Sequence, residues 1–430
     1  MARWSRRCPV LRRRSNRLPL SDALLLRVPR VVAGSAVAAT PAVVLGSGVG
    51  ALGALRRLRR ARVPAYLLPA APMYESRSRW LRPVPGARGT LAAAGTLATL
   101  LENSSLERAV LLPTSDALLR AVCELPPLLA ARFPSSTPAL EVALQLTDKA
   151  QFAHLLERLA VPAPRTLVAP DARTLAQFAG DRFEHLFIKP ADSASFMRRY
   201  GVKGCRVRDL RDGCAQLQRL QADGVAIIAQ EYVPGPASAH YLLDGFAGAG
   251  GQVQAMFARR RMRMYPPDFG NSSYMVSVPL AEVEGAARSL RRILEAIGYR
   301  GIFSAEFKRD ERDGLFKILE INARVWIYVE FAARCGVDVC LMAYRDALGL
   351  PPLQPRPYRS GARLVSPEID IAAAYHAWSH GELSLLGWAR SWLGAQQPLF
   401  NWTDPRPALS EWLALMGRIV RRLLRGPPVP

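Results

Sequence analysis

The sequence is poor in the groups that most often carry covalent or metal chemistry. Histidine occurs five times in 430 residues, and no Ser, His and Asp stand in a pattern that signals a nucleophilic triad. The six cysteines (Cys8, Cys123, Cys205, Cys214, Cys335 and Cys340) form no CxxC pair and have no histidine at ligand spacing. That excludes a zinc ribbon and a disulfide framework, and predicts a reduced, cytoplasmic protein.

Acidic side chains are also in short supply, with 35 Asp and Glu against 58 Lys and Arg and a formal net charge of +23. Such an excess favours anionic partners: nucleotides, acidic substrates, anionic lipid or nucleic acid. Arginine dominates it, and a generally Arg- and Ala-rich composition gives the same balance. The charge crowds at the ends, from Arg3 to Arg17 and from Arg418 to Arg425. Residues 1–30 are therefore expected to be a basic flexible leader.

Long hydrophobic runs are scarce as well. Residues 31–55 are uncharged, but they are rich in Gly and Ala and broken by Pro41. The second half reads as strand, glycine turn and helix rather than as a membrane span or a signal peptide.

What is present is an alternation of short apolar strands with helices. Strands are expected at residues 42–45, 63–68 and 109–113, with a helix running through Leu58; this pattern gives a parallel α/β sheet. A helix opens at Thr147-Asp148-Lys149. Further strands are expected at 166–168, 185–189, 226–231, 240–246, 252–260, 302–308 and 316–322, with a helix at 282–297. The second region is thus α+β with much antiparallel sheet. The expected domains are 31–140, 141–350 and, after the Pro-rich stretch at 351–357, a C-terminal helical region to residue 430.

The sharpest constellation is Glu306, Glu320 and Asn322. Residues two apart on a strand share a face, so Glu320 and Asn322 point together. Pairing through the turn Asp310-Glu311-Arg312-Asp313-Gly314 brings Glu306 to them. Two carboxylates and an amide oxygen form a hard oxygen set suited to Mg²⁺, or Mn²⁺, which take their remaining ligands from phosphate and water. Arg324 follows on the same face and can hold a phosphoryl group or a carboxylate. Lys149 starts a helix and Lys189 ends an apolar strand, a position from which it reaches nucleotide phosphates. Gln230-Glu231-Tyr232-Val233 runs from a strand into a turn whose backbone can pair with adenine. Arg261 and Arg263 alternate on one strand and can neutralise a triphosphate or an acyl phosphate.

In this order the residues resemble the ATP-grasp superfamily, most closely its carboligase branch near the D-aspartate ligase and carbamoyl-phosphate synthase groups. The resemblance spans roughly residues 40–350, and the stretch from Glu306 to Arg324 is its most specific part. It implies a Rossmann-like preATP-grasp domain followed by a two-subdomain ATP-grasp fold. It also implies ATP phosphates on Lys149 and Lys189, adenine beside Gln230, Glu231 and Val233, and magnesium on Glu306, Glu320 and Asn322. Arg261, Arg263 and Arg324 would act on the transferred phosphoryl group or the acid. The implied reaction joins a small-molecule carboxylate to an amine through an acyl phosphate, without a protein nucleophile. Two departures stand out. Ala237 lies where relatives carry an acidic ribose ligand, which leaves Ser238 or His240 to supply that contact. The loop at 192–204 also has no glycine before Gly201.

Other readings follow from other residues. The run from Gly46 to Gly53 resembles a dinucleotide fingerprint, but Tyr66-Leu67-Leu68-Pro69 offers no acid for the ribose of a nicotinamide cofactor. The helix expected at 409–424 is apolar on one side and basic beside it. It packs on the core or contacts anionic lipid weakly, which allows a membrane-surface or nucleic-acid-associated ATP-binding protein without ligase activity. No specific nucleic-acid partner is expected; a homodimer is possible.

Overall fold

The computed structural model describes residues 40–424, apart from 72, 88, 92–95, 181–182, 184–185, 191–198, 201–203, 268–269 and 355. The expected basic leader lies outside the described residues.

Three strands, β1 (Ala42–Leu45), β2 (Ala65–Leu68) and β3 (Val110–Pro113), form a parallel sheet in the order β2-β1-β3. They are apolar on both faces, as parallel strands covered by crossover helices must be. Gly48 (φ 92°) turns the chain out of β1 into helix α1 (Val49–Arg60). Gly50 lets α1 lie close to the chain at Trp326, since a Cβ there would sit 2.9 Å from the Trp326 carbonyl oxygen. The glycine run thus serves helix packing here. Helix α2 (Asp116–Cys123) follows β3 and is capped by Ser115.

Helix α3 (Lys149–Arg158) starts at its cap Asp148, whose Oδ1 accepts from the backbone N–H of Ala150 and Gln151, each at 2.9 Å. A four-stranded antiparallel sheet follows: β4 (Thr166–Val168), β5 (Leu186–Pro190), β6 (Cys205–Val207) and β7 (Ile227–Glu231), in the order β4-β7-β5-β6. It has an apolar core of its own, including Leu175, Ile188, Leu217 and Ala229.

The largest sheet is antiparallel and six-stranded, in the order β12-β11-β8-β9-β10-β13. Its strands are β8 (His240–Ala247), β9 (Val253–Tyr265), β10 (Asn271–Val278), β11 (Gly301–Arg309), β12 (Phe316–Asn322) and β13 (Arg363–Val365). Every residue of β8 is buried. Tyr241, Leu243 and Ala247 pack with Leu290 and Ile293 of helix α4 (Glu284–Ala296), while Phe246 joins a second core. That core also holds residues of the parallel sheet, α1, and helices α5 (Val329–Cys335) and α6 (Val339–Ala347).

Three strands lie beyond the sequence expectations. β6 is only three residues long and is held by pairing with β5. β10 opens Asn271-Ser272-Ser273, polar residues that carry no strand signal, and is held by pairing with β9. β13 comes from the C-terminal region read as linker and helices, and pairs with β10. Helices α7 (Pro367–Ser379), α8 (Leu385–Trp392) and α9 (Arg406–Leu424) follow it. In α9, Ala408 is buried and Trp412 stacks on Phe400, whereas Leu413 is 75% exposed. Among the described residues no helix is long and apolar enough to cross a membrane.

Arg56, in the middle of α1, is fully buried. It donates to Asp404 at 2.9 Å and to Glu330 of α5 at 3.3 Å, and its Nη2 reaches the carbonyls of Leu399 and Asp404. One guanidinium thus ties α1, α5 and the segment before α9. Arg56→Ala should cost about 3–5 kcal/mol, because buried Asp404 loses its counter-charge and Glu330 keeps only Arg334. Arg60→Ala, at a more exposed position, should cost about 1 kcal/mol or less. Chemical unfolding of both variants checks this; equal losses would contradict it.

Candidate nucleotide and metal site

A cleft of about 1380 Å³ opens between the four-stranded sheet, the β11–β12 edge of the large sheet, and α2. On its first wall, Phe187 and Lys189 of β5 share a face, and β7 places Gln230 opposite Phe187. Lys189 Nζ donates to Gln230 Oε1 at 2.8 Å, and Gln230 Nε2 donates to Thr166 Oγ1 at 3.0 Å. Lys149 reaches the carbonyl of Pro190 from the start of α3. Both lysines therefore converge on the end of β5. Glu231 and Tyr232 also line the cleft, as does Val233, which is buried.

The opposite wall is the hairpin. Antiparallel register sets Glu306 directly across from Glu320, and Asn322 across from Ser304. Directly opposed residues project on one side of a sheet, so Glu306, Glu320 and Asn322 form one oxygen-rich face. Asn322 Nδ2 donates to Glu320 Oε1 at 3.1 Å. Arg261, buried, holds Glu306 Oε1 at 3.1 Å and donates to Ser272 Oγ at 2.8 Å. His240 Nδ1 lies 2.8 Å from the same Glu306 oxygen. Arg261 Nη1 lies 3.3 Å from the same ring nitrogen. Burial pushes the His240 pKa down; the hydrogen bond to Glu306 opposes this, but the shift stays downward.

Arg324 turns away from Glu320. Its Nε donates to Asp116 Oδ1 at 2.8 Å, and its Nη2 to Asn322 Oδ1 at 2.9 Å. Glu306, Glu320 and Asn322 supply three hard oxygen donors from adjacent strands, which fits a divalent cation that completes its shell with phosphate and water. Among the described residues no group of three or more His, Cys, Asp or Glu is arranged to hold an ion by itself.

No family model matches the chain. Over 210 residues it is 26% identical to the D-aspartate ligase of Enterococcus faecium (strain Aus0004), covering 47% of this chain and 50% of that protein. The match thus spans about half the length of the curated relative. The fold is similar to the biotin carboxylase domain of Hydrogenobacter thermophilus 2-oxoglutarate carboxylase, solved as a dimer with MgADP and bicarbonate. That similarity has a TM-score of 0.57, 16% identity, and coverage of 75% and 73% of the two chains. N5-carboxyaminoimidazole synthetase from Staphylococcus aureus gives 0.56 at 10% identity, over 79% and 86%. L-amino acid ligase from Bacillus licheniformis gives 0.53 at 12%, over 73% and 75%. These solved structures share the fold of this chain.

One residue expected at the site is placed elsewhere. Arg263 is not among the residues lining the cleft. The β9–β10 register shifts around Tyr274, so simple alternation does not carry Arg263 to the position of Arg261. It pairs instead with Asp370 of α7, at 2.9 and 2.7 Å, and its guanidinium sits 4.3 Å from the Tyr274 ring centre. His240 is committed to Glu306, and the Ser238 carbonyl accepts from Arg260 Nε at 2.6 Å. The loop at 192–204 lies largely outside the described residues.

Three residues at the site went unassigned in the sequence reading, and His240 was named there only for a ribose contact. Lys308 shares a face with Glu306, is buried, and stands 4.5 Å over the Tyr232 ring. Its signal was the two-residue spacing from Glu306. Arg312 bridges Glu231 and Asp310, each at 2.6 Å. Burial pushes the Glu231 carboxyl up, but the Arg312 hydrogen bond and the neighbouring charges leave it below its ordinary value. His240 and Asp116 carried no local signal; their partners are 66 and 208 residues away.

Asp370 is fully buried and also accepts from Ser273, Trp388 and Trp392. Burial pushes its pKa up, yet the donors, Arg263 foremost, bring it below the usual carboxylate value. A depressed folded-state pKa means stability that is present above the unfolded value of about 3.9 and lost as pH falls through the folded one. Arg263→Ala should therefore cost about 3–5 kcal/mol at neutral pH. The gap to the parent should narrow as pH falls and Asp370 becomes protonated. Unfolding measured from pH 7 to pH 3 checks this; a gap independent of pH would contradict it.

Proposed function

We propose that the chain is an ATP- and magnesium-dependent ligase that activates a small-molecule carboxylate as an acyl phosphate for attack by an amine. The observation that carries this reading is the facing of two walls. Lys149 and Lys189 converge on one, and Glu306, Glu320 and Asn322 share a face on the other. Relatives of this fold include ligases, and one was solved with MgADP.

On this reading Lys149 and Lys189 bind the phosphates as point charges. Gln230, Glu231 and Val233 frame adenine at the turn after β7, with Arg312 fixing Glu231. Glu306, Glu320 and Asn322 would hold Mg²⁺ or Mn²⁺, which when bound would supply positive charge against the phosphates. A substrate carboxylate oxygen attacks the γ-phosphorus and the bond to the bridging oxygen breaks, releasing ADP. The amine then attacks the acyl carbon, phosphate departs, and the amine proton passes to solvent. Arg261 lies buried against Glu306, where it stabilises charge on the transferred group without reorganisation. Arg324 holds the acid. Arg263 takes no part.

Acid-dependent ADP release, screened over small acids and amino acids with Mg²⁺, tests the reading. Glu320→Gln should lower it at least about 10²-fold, the usual scale for losing one stabilising group. It should keep the parent's unfolding midpoint, because Glu320 is exposed. An unaffected rate would refute the metal role.

A further inference from the structure

The glycine turn after β1 is a second place where the fold offers donors to a ligand, and an acid stands in it. β1 is the middle strand of the order β2-β1-β3, so strand order reverses beside it. Open α/β sheets bind ligands at the carboxyl ends of their strands at such a point. Gly46 and Gly48 follow that end of β1, both at positive φ, and α1 starts at once. Backbone N–H groups and the dipole at such a helix start attract anions. The turn is tied to the segments that carry Asp116 and Arg324, which both line the cleft. The Thr114 hydroxyl donates to the Leu45 carbonyl, and Gly50 packs on Trp326.

The chain supplies the anion itself. The Gly48 N–H donates to Glu75 Oε2 at 3.3 Å. Glu75 lies in the short 3₁₀ turn Tyr74–Arg77 that follows β2, and it is 1% exposed. Its other oxygen, Oε1, is buried and accepts from none of the described residues. As a plain helix cap this is an expensive arrangement. A serine or asparagine at the cap position would satisfy an N–H without burying a charge.

The surroundings are acidic in a chain of net charge +23. A Cβ on Gly48 would sit 3.5 Å from the Tyr74 hydroxyl. The pKa of that hydroxyl is raised, by burial first and then by Glu75, by Glu368 of α7 and by Glu411 of α9. A phosphate at this turn would have to displace Glu75 and face two further carboxylates. A hydroxyl or ammonium group would instead find the unused oxygen of Glu75.

We propose that Glu75 is a specificity-determining residue: it occupies the anion position at the start of α1, so the amine that enters from this side of the cleft is one without a phosphate group. The choice of amine rests on the ligase reading; the exclusion of phosphate from the turn does not.

Both parts are tested on the full chain. With glycines labelled with ¹⁵N and MgADP filling the nucleotide site, inorganic phosphate should leave the Gly46 and Gly48 amide signals of the parent unmoved. In Glu75→Ala the same titration should shift them to saturation. Glu75→Gln keeps the shape without the charge and should give a smaller shift; it carries the test alone if Glu75→Ala does not fold. Signals that move equally in parent and variants, or that stay still in every folded variant, would overturn the assignment. Turnover reads the amine. ADP release with an acid that supports it is compared for ethanolamine and glucosamine against their phosphate esters. The parent should favour the unphosphorylated amine by about 10²-fold or more in kcat/KM, the scale of a like-charge clash, and Glu75→Gln should narrow that preference. Equal rates for both members of each pair, or a preference untouched by Glu75→Gln, would overturn the assignment and leave the ligase reading standing. Phosphate entering the turn only in the Glu75 variants, with no ADP release from any acid and amine, would support the exclusion and sink the ligase reading.

Discussion

The pairing of β11 with β12 sets the geometry on which the site depends. A slip of one residue would turn Glu320 and Asn322 to the opposite side of the sheet and separate them from Glu306. Asp310, at the end of that pairing, is fully buried and fixes the turn. It accepts from the Arg312 backbone N–H at 3.0 Å, from the Arg312 guanidinium, and from Lys317 at 2.9 Å. Burial pushes its carboxyl up, but these donors outweigh that and hold it well below the ordinary range. Arg312 then carries the constraint outward to Glu231, so the turn that sets the register also ties the large sheet to the strand beside the expected adenine position.

Charge in the cleft is arranged rather than merely abundant. Arg261 and His240 meet on one oxygen of Glu306. Lys308 faces Tyr232, whose ring also receives Arg206 at 4.9 Å and packs edge-on against Phe187. These contacts hold Lys308 and Tyr232 in place on the cleft wall. The overall charge of +23 is a property of the whole chain and says little about this local order.

Much of this was legible in the sequence because it is local. Alternation along β12 predicts that Glu320 and Asn322 share a face. The loop closed by Gly314 predicts that Glu306 joins them, and Asp148 marks the start of α3. The parts that escaped depend on distant partners. β10 has a polar opening and exists as a strand through its neighbours. β13 lies beyond a Pro-rich stretch that reads as a linker. Arg263 shows the limit of periodicity: two-residue spacing from Arg261 predicts a shared role, but the irregular β9–β10 register and buried Asp370 give it a structural one. His240 and Asp116 become meaningful only when their partners are known.

The central claim is that a carboxylate oxygen attacks ATP in this cleft, and isotope transfer tests it most directly. Small acids that support ADP release, labelled with ¹⁸O in both carboxylate oxygens, would be turned over with MgATP and hydroxylamine. An acyl-phosphate route predicts one ¹⁸O in each released inorganic phosphate. ADP formation with unlabelled phosphate would contradict it.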